Sequence, residues 1–130
     1  MLWCGEVLPV PALRYWLEAV PKARFTNLYG PTEATIASTY FDVPSGFAGW
    51  DQALPIGRPC GGEDVILLDL DAESPQRAAP GTRGELAIRG SGLSPGYWRD
   101  AEKTAAAFLA DPDHVGERIY RTGDIGELDP

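Results

Sequence analysis

The sequence is poor in the residues that most often announce chemistry. It holds two cysteines and one histidine in 130 residues. Cys4 and Cys60 form no Cys-x-x-Cys pair and no Cys/His cluster, which excludes a zinc site of ordinary spacing. They read as two reduced thiols of a cytoplasmic protein. His114 stands alone in the polar stretch Asp111-Pro112-Asp113-His114, so no nucleophile–histidine triad can be built and a surface residue is expected. Long apolar runs are absent too. The longest, Val65-Ile66-Leu67-Leu68, falls far short of the ~20 residues that cross a bilayer. The opening Met1-Leu2-Trp3-Cys4-Gly5-Glu6 lacks the basic start of a signal peptide. Basic charge is scarce, with 11 Lys and Arg against 19 Asp and Glu for a net charge of −8. No basic stripe offers itself to a nucleic acid, and an anionic membrane would attract such a chain poorly. No glycine-rich stretch ends in Gly-Lys-Ser/Thr, which excludes a Walker A loop.

What is present is an ordinary globular composition, 44% hydrophobic, with 15 glycines and 12 prolines that promise many turns. Leu2-Trp3-Cys4 reads as a short buried strand. Pro9 and Pro11 suit a helix start, and Leu13, Trp16, Leu17 and Val20 recur at i, i+3, i+4, i+7 on one helical face. Pro21 stops that helix. Residues 24–28 read as a second strand, so strand, helix and strand form the edge of a parallel α/β unit. The pattern then changes. Residues 35–41, rich in β-branched and aromatic side chains, read as a strand. Residues 44–62 read as loop, 63–69 as a strand and 71–82 as exposed turns. Glu85-Leu86-Ala87-Ile88-Arg89 alternates as a half-buried strand should. Asp100 is a helix N-cap, with Ala101, Thr104, Ala105 and Phe108 on one face behind it. Residues 118–120 and 125–128 read as two strands around a tight Thr-Gly-Asp turn. The fold class is therefore α/β, then β-rich.

Three stretches can carry chemistry. In Asn27-Leu28-Tyr29-Gly30-Pro31-Thr32-Glu33 a strand runs into a turn that Gly30 and Pro31 make rigid. Ligands of open α/β sheets bind beyond such strand ends. The turn gathers a ring that can stack on a base, a hydroxyl for a phosphate oxygen and a carboxylate for Mg²⁺. By itself it also fits a plain turn with a helix-capping Thr32. Tyr120-Arg121-Thr122-Gly123-Asp124 places a carboxylate on a glycine turn, where it can accept two bonds from a ribose diol; alone, it fits a hairpin equally. The stretch from Gly84-Glu85-Leu86 through Gly96-Tyr97 reads as scaffold, with Tyr97 an aromatic plug.

Together, in this order, these stretches resemble the ANL superfamily of acyl-CoA synthetases, adenylation domains of nonribosomal peptide synthetases (NRPS) and beetle luciferases. Residues 27–33 resemble its Asn-x-Tyr-Gly-Pro-Thr-Glu motif. Gly84-Glu85-Leu86, Gly96-Tyr97-Trp98, Thr104 and Phe108 resemble its Gly-Glu-Leu…Gly-Tyr…Thr…Phe core. Residues 120–124 resemble its Tyr-Arg-Thr-Gly-Asp core, and Pro55-Ile56-Gly57-Arg58-Pro59 a further element.

The resemblance implies ATP-dependent activation of a carboxylic acid as acyl-AMP, with release of pyrophosphate and transfer to a thiol of phosphopantetheine or CoA. It implies that Thr32 and Glu33 are catalytic and that Glu33 holds Mg²⁺. Gly5, Glu6, Asn27, Tyr29, Gly30, Thr32 and Asp124 would bind the nucleotide: Tyr29 stacks on adenine, Asn27 meets its amine and Asp124 grips the ribose. Leu2, Cys4, Leu28, Ile36 and Ala37 would line the acyl pocket. Pro31 followed by Ala34-Thr35-Ile36 resembles amino-acid-activating members, with a small carboxylate or amino acid as substrate and a carrier protein as partner. An acyl-CoA synthetase of the same family is the alternative, since Ala87-Ile88-Arg89-Gly90 occurs there too. A truncated, non-catalytic binding module is the reading outside the family's chemistry.

The implied architecture is the C-terminal half of the large N-terminal domain of an adenylate-forming enzyme. Residues 1–38 would end an α/β subdomain, and 39–130 would form a small distorted β-barrel with one helix. The family's phosphate loop is expected upstream and its C-terminal domain downstream, so the chain reads as part of something larger and, by itself, inactive.

Overall fold

The computed structural model describes residues 1–47 and 53–128. Residues 48–52, within the stretch read as loop, and the terminal 129–130 lie outside the described residues. Two four-stranded sheets are built in succession. The first has the order β1-β2-β3-β4, from Leu2–Trp3, Thr26–Tyr29, Thr39–Asp42 and Arg58–Pro59. The second has the order β5-β6-β8-β7, from Glu63–Leu68, Gly84–Gly90, Arg118–Gly126 and Phe108–Ala110.

Helix α1, Val10–Ala19, crosses between β1 and β2, which pair in parallel as the strand-helix-strand order requires. Its apolar stripe buries Leu13 against Leu8, Phe25 and Leu54, while Trp16 and Val20 on the same stripe remain exposed. A helix face of this kind is stabilised mainly by what covers it, and here the cover is partial.

The expected strand at 35–41 starts four residues late. Thr35 and Ile36 both take left-handed backbone angles, φ 56° and 73°, so no pleat can form before β3. β3 instead runs antiparallel to β2 from Tyr29↔Thr39 to Thr26↔Asp42. The hydrogen-bonded sheet thus continues past residue 38 and ends at Pro59. β4 arises inside the stretch read as loop.

The second sheet packs Ile66, Leu68, Ala87 and Ile119 into a separate core. It is open, with β5 and β7 as its edges, so no closed barrel forms among the described residues. Two expectations are corrected here. β8 is one continuous strand, not two around a tight turn: Thr122 and Gly123 are absorbed by an irregular register opposite β6 between Glu85 and Ala87. Gly123 takes φ +80° at that bulge. Phe108 leaves the helix to begin β7, because helix α2, Ala101–Ala107, stops one residue earlier. The Asp100 cap holds, accepting from the Lys103 amide at 2.9 Å.

Candidate functional site

The turn after β2 is the centre of the site. Pro31 occupies the cap position of a single 3₁₀ turn, Thr32–Ala34, and no side chain caps it. Thr32 is exposed and is not the helix cap that the plain-turn reading supposes. Gly30 is dictated by space: a Cβ there would lie 2.4 Å from the Ile36 carbonyl oxygen and 2.6 Å from the Ser38 amide nitrogen.

Two side-chain bonds, at Tyr29 and at Glu33, join this segment to residues distant in sequence. The Tyr29 hydroxyl donates to Oδ2 of Asp124 at 2.6 Å. Asp124 stands on the bulge of β8, which is pinned from behind: the Thr122 hydroxyl donates to the Leu86 carbonyl at 2.8 Å and the Gly123 amide to Oε1 of Glu85 at 3.1 Å. Arg121 clamps the same Glu85 through its Nε at 2.9 Å. Burial, and then the bond to Asp124, push the Tyr29 hydroxyl well above the ordinary tyrosine range.

The Tyr97 hydroxyl donates to Oε1 of Glu33 at 2.6 Å. That bond is the main cause holding the Glu33 carboxyl below its usual range, against burial that raises it. Tyr97 is itself held by its neighbours. Its amide donates to the Thr104 hydroxyl at 2.9 Å, its ring meets Phe108 edge-on at 5.9 Å, and the Lys103 ammonium lies 4.0 Å from its ring centroid. Gly96 must be glycine, since a Cβ would come within 2.4 Å of Thr104. The Gly-Tyr…Thr…Phe pattern, read from sequence as scaffold, is the mounting for Tyr97. The fold alone puts Tyr97 on Glu33, for the two lie 64 positions apart.

Asn27 is buried on β2, and its side-chain amide donates to the Pro55 carbonyl at 2.9 Å. That bond ties the Pro-Ile-Gly-Arg-Pro element to the site. Gly5 and Glu6 follow β1, at the same end of the parallel pair as Tyr29 on β2. Both are exposed, and the Glu6 carbonyl accepts from the Trp3 indole. In the expected acyl group, Cys4 meets the Ile36 carbonyl oxygen at 3.7 Å. Leu2 and Ile36 are exposed, 70% and 64%, while Leu28 and Ala37 are half-buried. Cys4 and Cys60 are both free thiols.

As a donor for Mg²⁺, Glu33 fits by chemistry. It is an ionised carboxylate on an exposed turn, and Mg²⁺ takes one or two carboxylates beside phosphate oxygens and water. Another acidic group is less suited. Asp111, His114 and Glu117 bring ligand atoms within 4.8 Å of one another, yet the Arg89 guanidinium already lies 2.9 Å from His114 Nδ1 and 3.3 Å from Asp111. A resident cation opposes a second one there. No helix among the described residues is long and apolar enough to cross a membrane.

Comparison with known proteins points to one family. The family model of the AMP-binding enzymes matches residues 1–98. Tyrocidine synthase 1 of Brevibacillus parabrevis is 35% identical over 127 residues, 98% of this chain and 11% of that protein. The D-alanine--D-alanyl carrier protein ligase of Bacillus licheniformis is 36% identical over 125 residues, 96% of this chain and 24% of that protein. Among solved structures, PA1221, an NRPS protein containing adenylation and PCP domains bound to a vinylsulfonamide inhibitor, superimposes with a TM-score of 0.84 at 36% identity, covering 98% of this chain and 22% of that one. The chain therefore spans a quarter or less of the length of these relatives.

Proposed function

The chain belongs to the AMP-binding enzyme family, and from that premise we propose that it is part of an ATP-dependent ligase that activates an amino acid as its acyl-adenylate, with release of pyrophosphate, for transfer to a carrier thiol. The Tyr29–Asp124 bond carries this reading. It brings a stacking ring and a diol-binding carboxylate from separate sheets to one point. Adenine would lie on the Tyr29 ring, with Asn27, Gly30, Gly5 and Glu6 around its edge. Asp124 would accept from the ribose hydroxyls, sharing its carboxylate with Tyr29. Thr32 would donate to the α-phosphate region. Glu33, hydrogen-bonded by Tyr97, would hold Mg²⁺, which would supply charge neutralisation at the phosphate oxygens.

Leu2, Cys4, Leu28, Ile36 and Ala37 would face the acyl group, and their lack of charge favours an uncharged side chain. A carrier protein's phosphopantetheine is the fitting thiol, in keeping with the carrier protein named for one relative and the PCP domain named for another. CoA is the acceptor in the acyl-CoA synthetase alternative. We assign the α/β end of the subdomain to residues 1–38 and the β-rich part to 39–130.

The test is titration of the purified chain with AMP, followed by the amide signals of residues 29–33 and 122–124. Both groups should shift together, and Asp124→Ala should weaken binding about tenfold, the worth of a charged hydrogen bond. A wild-type chain whose signals ignore saturating AMP would sink the reading.

A further inference from the structure

The half-buried Glu63 side chain reaches a turn to which it does not belong. Its Oε1 accepts from the Gly92 amide at 2.7 Å. Its Oε2 is buried and has no hydrogen-bond partner among the described residues. The carboxylate fits only because two neighbours lack side chains. A Cβ on Gly90 would lie 2.9 Å from Oε2, and one on Gly92 would lie 2.8 Å from Oε1.

Gly92 then reaches the motif turn. Its carbonyl accepts from the Thr35 hydroxyl at 2.6 Å, and two residues on, the Ser94 amide donates to the Glu33 carbonyl at 2.8 Å. The 92–94 turn thus grips the motif turn at Glu33 and at Thr35. Thr35 and the adjacent Ile36 have φ of 56° and 73°. Left-handed angles are costly for β-branched residues and persist only where the surroundings force them. Glu63, through Gly92, is one such force. An unpartnered buried acceptor is a cost of its own, and such costs gather at functional sites.

We infer that Glu63 is a positioning residue for acyl-group selection: by fixing Gly92 it holds Thr35 and Ile36 left-handed and so sets how Ile36 and Cys4 are presented. This inference rests on the acyl-adenylate reading above for what the site selects. It differs from that reading in placing part of the selection on the second sheet, at the start of β5, away from any residue expected to touch the substrate.

The test uses the 130-residue chain and the variants Glu63→Ala, Glu63→Gln and Thr35→Val. One arm reads the backbone. Chemical shifts and couplings of Thr35 and Ile36 report left-handed φ, and Glu63→Ala and Thr35→Val should move them toward the right-handed range. Glu63→Gln keeps an acceptor for Gly92 and should restore them. The other arm reads selection, with AMP and the sulfamoyl-adenosine analogues of glycine, alanine, leucine and phenylalanine as probes. Glu63→Ala should leave AMP affinity within about twofold and shrink the spread among the four analogues about tenfold, the scale on which apolar pockets discriminate. Unchanged backbone signals in Glu63→Ala would overturn the inference, as would AMP and analogue affinities that fall in parallel. A wild-type chain that binds no AMP overturns the adenylate reading instead, and the backbone arm still decides what Glu63 holds in place.

Discussion

The Tyr97 hydroxyl donates to Oε1 of Glu33 across 2.6 Å, and by that bond the loop between β6 and α2 lowers the carboxyl on the turn after β2 below its ordinary value. The donor is held by Thr104 and Phe108, so the acidic turn is steadied by a helix far from it in sequence.

Tyr97→Phe should release Glu33 toward its ordinary value of 4.5. Because the folded value lies below the unfolded one, the pair's contribution is full above the unfolded value and is lost as pH falls through the folded one. The variant should lose about 1 kcal/mol at pH 7, the net worth of one partly exposed hydrogen bond. Urea unfolding at neutral and at strongly acidic pH should show the gap closing in acid; a gap equal at both would refute the assignment.

In alkali the sign reverses. Tyr29 is raised by burial and Asp124, Tyr97 by Glu33, and Tyr120 by burial, all from 10.0. Their contribution is complete below that value and disappears as pH rises through the folded values. Phenolate absorbance should therefore grow in two phases, the second coinciding with loss of circular dichroism. A single phase completed near pH 10 with the fold intact would count against the Tyr29–Asp124 and Tyr97–Glu33 bonds and the burial of Tyr120.

Gly30→Ala should be among the most damaging small substitutions. Its Cβ would meet the Ile36 and Ser38 backbone, which cannot swing aside as a side chain can. A cost of about 3 kcal/mol is expected from such overpacking, read as a lowered urea midpoint. A midpoint unchanged within error would show that the turn can relax.

Arg89 is the hub for Asp64, Asp111 and Asp113, at 2.6, 3.3 and 3.0 Å, and the Asp111 side chain is fully buried. Burial raises the Asp111 carboxyl, but the Asp113 amide, His114 and Arg89 outweigh it and hold it low. Arg89→Met should cost about 3–5 kcal/mol by stranding that charge. Adding Asp111→Asn should recover part of the loss. A double variant weaker than the wild type by the sum of the two single costs would show that the two do not interact.

The sequence made some of this legible and hid the rest for physical reasons. The Leu13 stripe and the run Glu85 to Arg89 are local signals, and a helix and a strand lie there, but the strand is buried continuously from Gly84 to Ile88 instead of alternating, since Arg121 and the Gly123 amide take in Glu85. Asp100 caps its helix through a contact three residues away. Thr35 and Ile36 misled, because β-branched side chains favour strands, whereas here their amides bond back to Thr32 and Pro31 and the Thr35 hydroxyl donates to the Gly92 carbonyl. Thr122-Gly123-Asp124 looked like a hairpin turn, since a glycine at positive φ serves a turn or a bulge alike. Tyr97 and Glu33 are each visible in the sequence, but nothing in the spacing of 64 residues says that they touch.

The Tyr29–Asp124 bond joins residues 95 positions apart in a chain of 130. Closing so long a loop carries an entropy cost that local pairing within each sheet does not. Contacts this distant form late in folding. Each sheet can form from near neighbours, whereas this pair must wait until both are in place. During synthesis the tyrosine leaves the ribosome long before the carboxylate that it will bind. A ligand that needs both groups would thus find no purchase on a half-made chain, and its capture would mark the moment at which folding is complete.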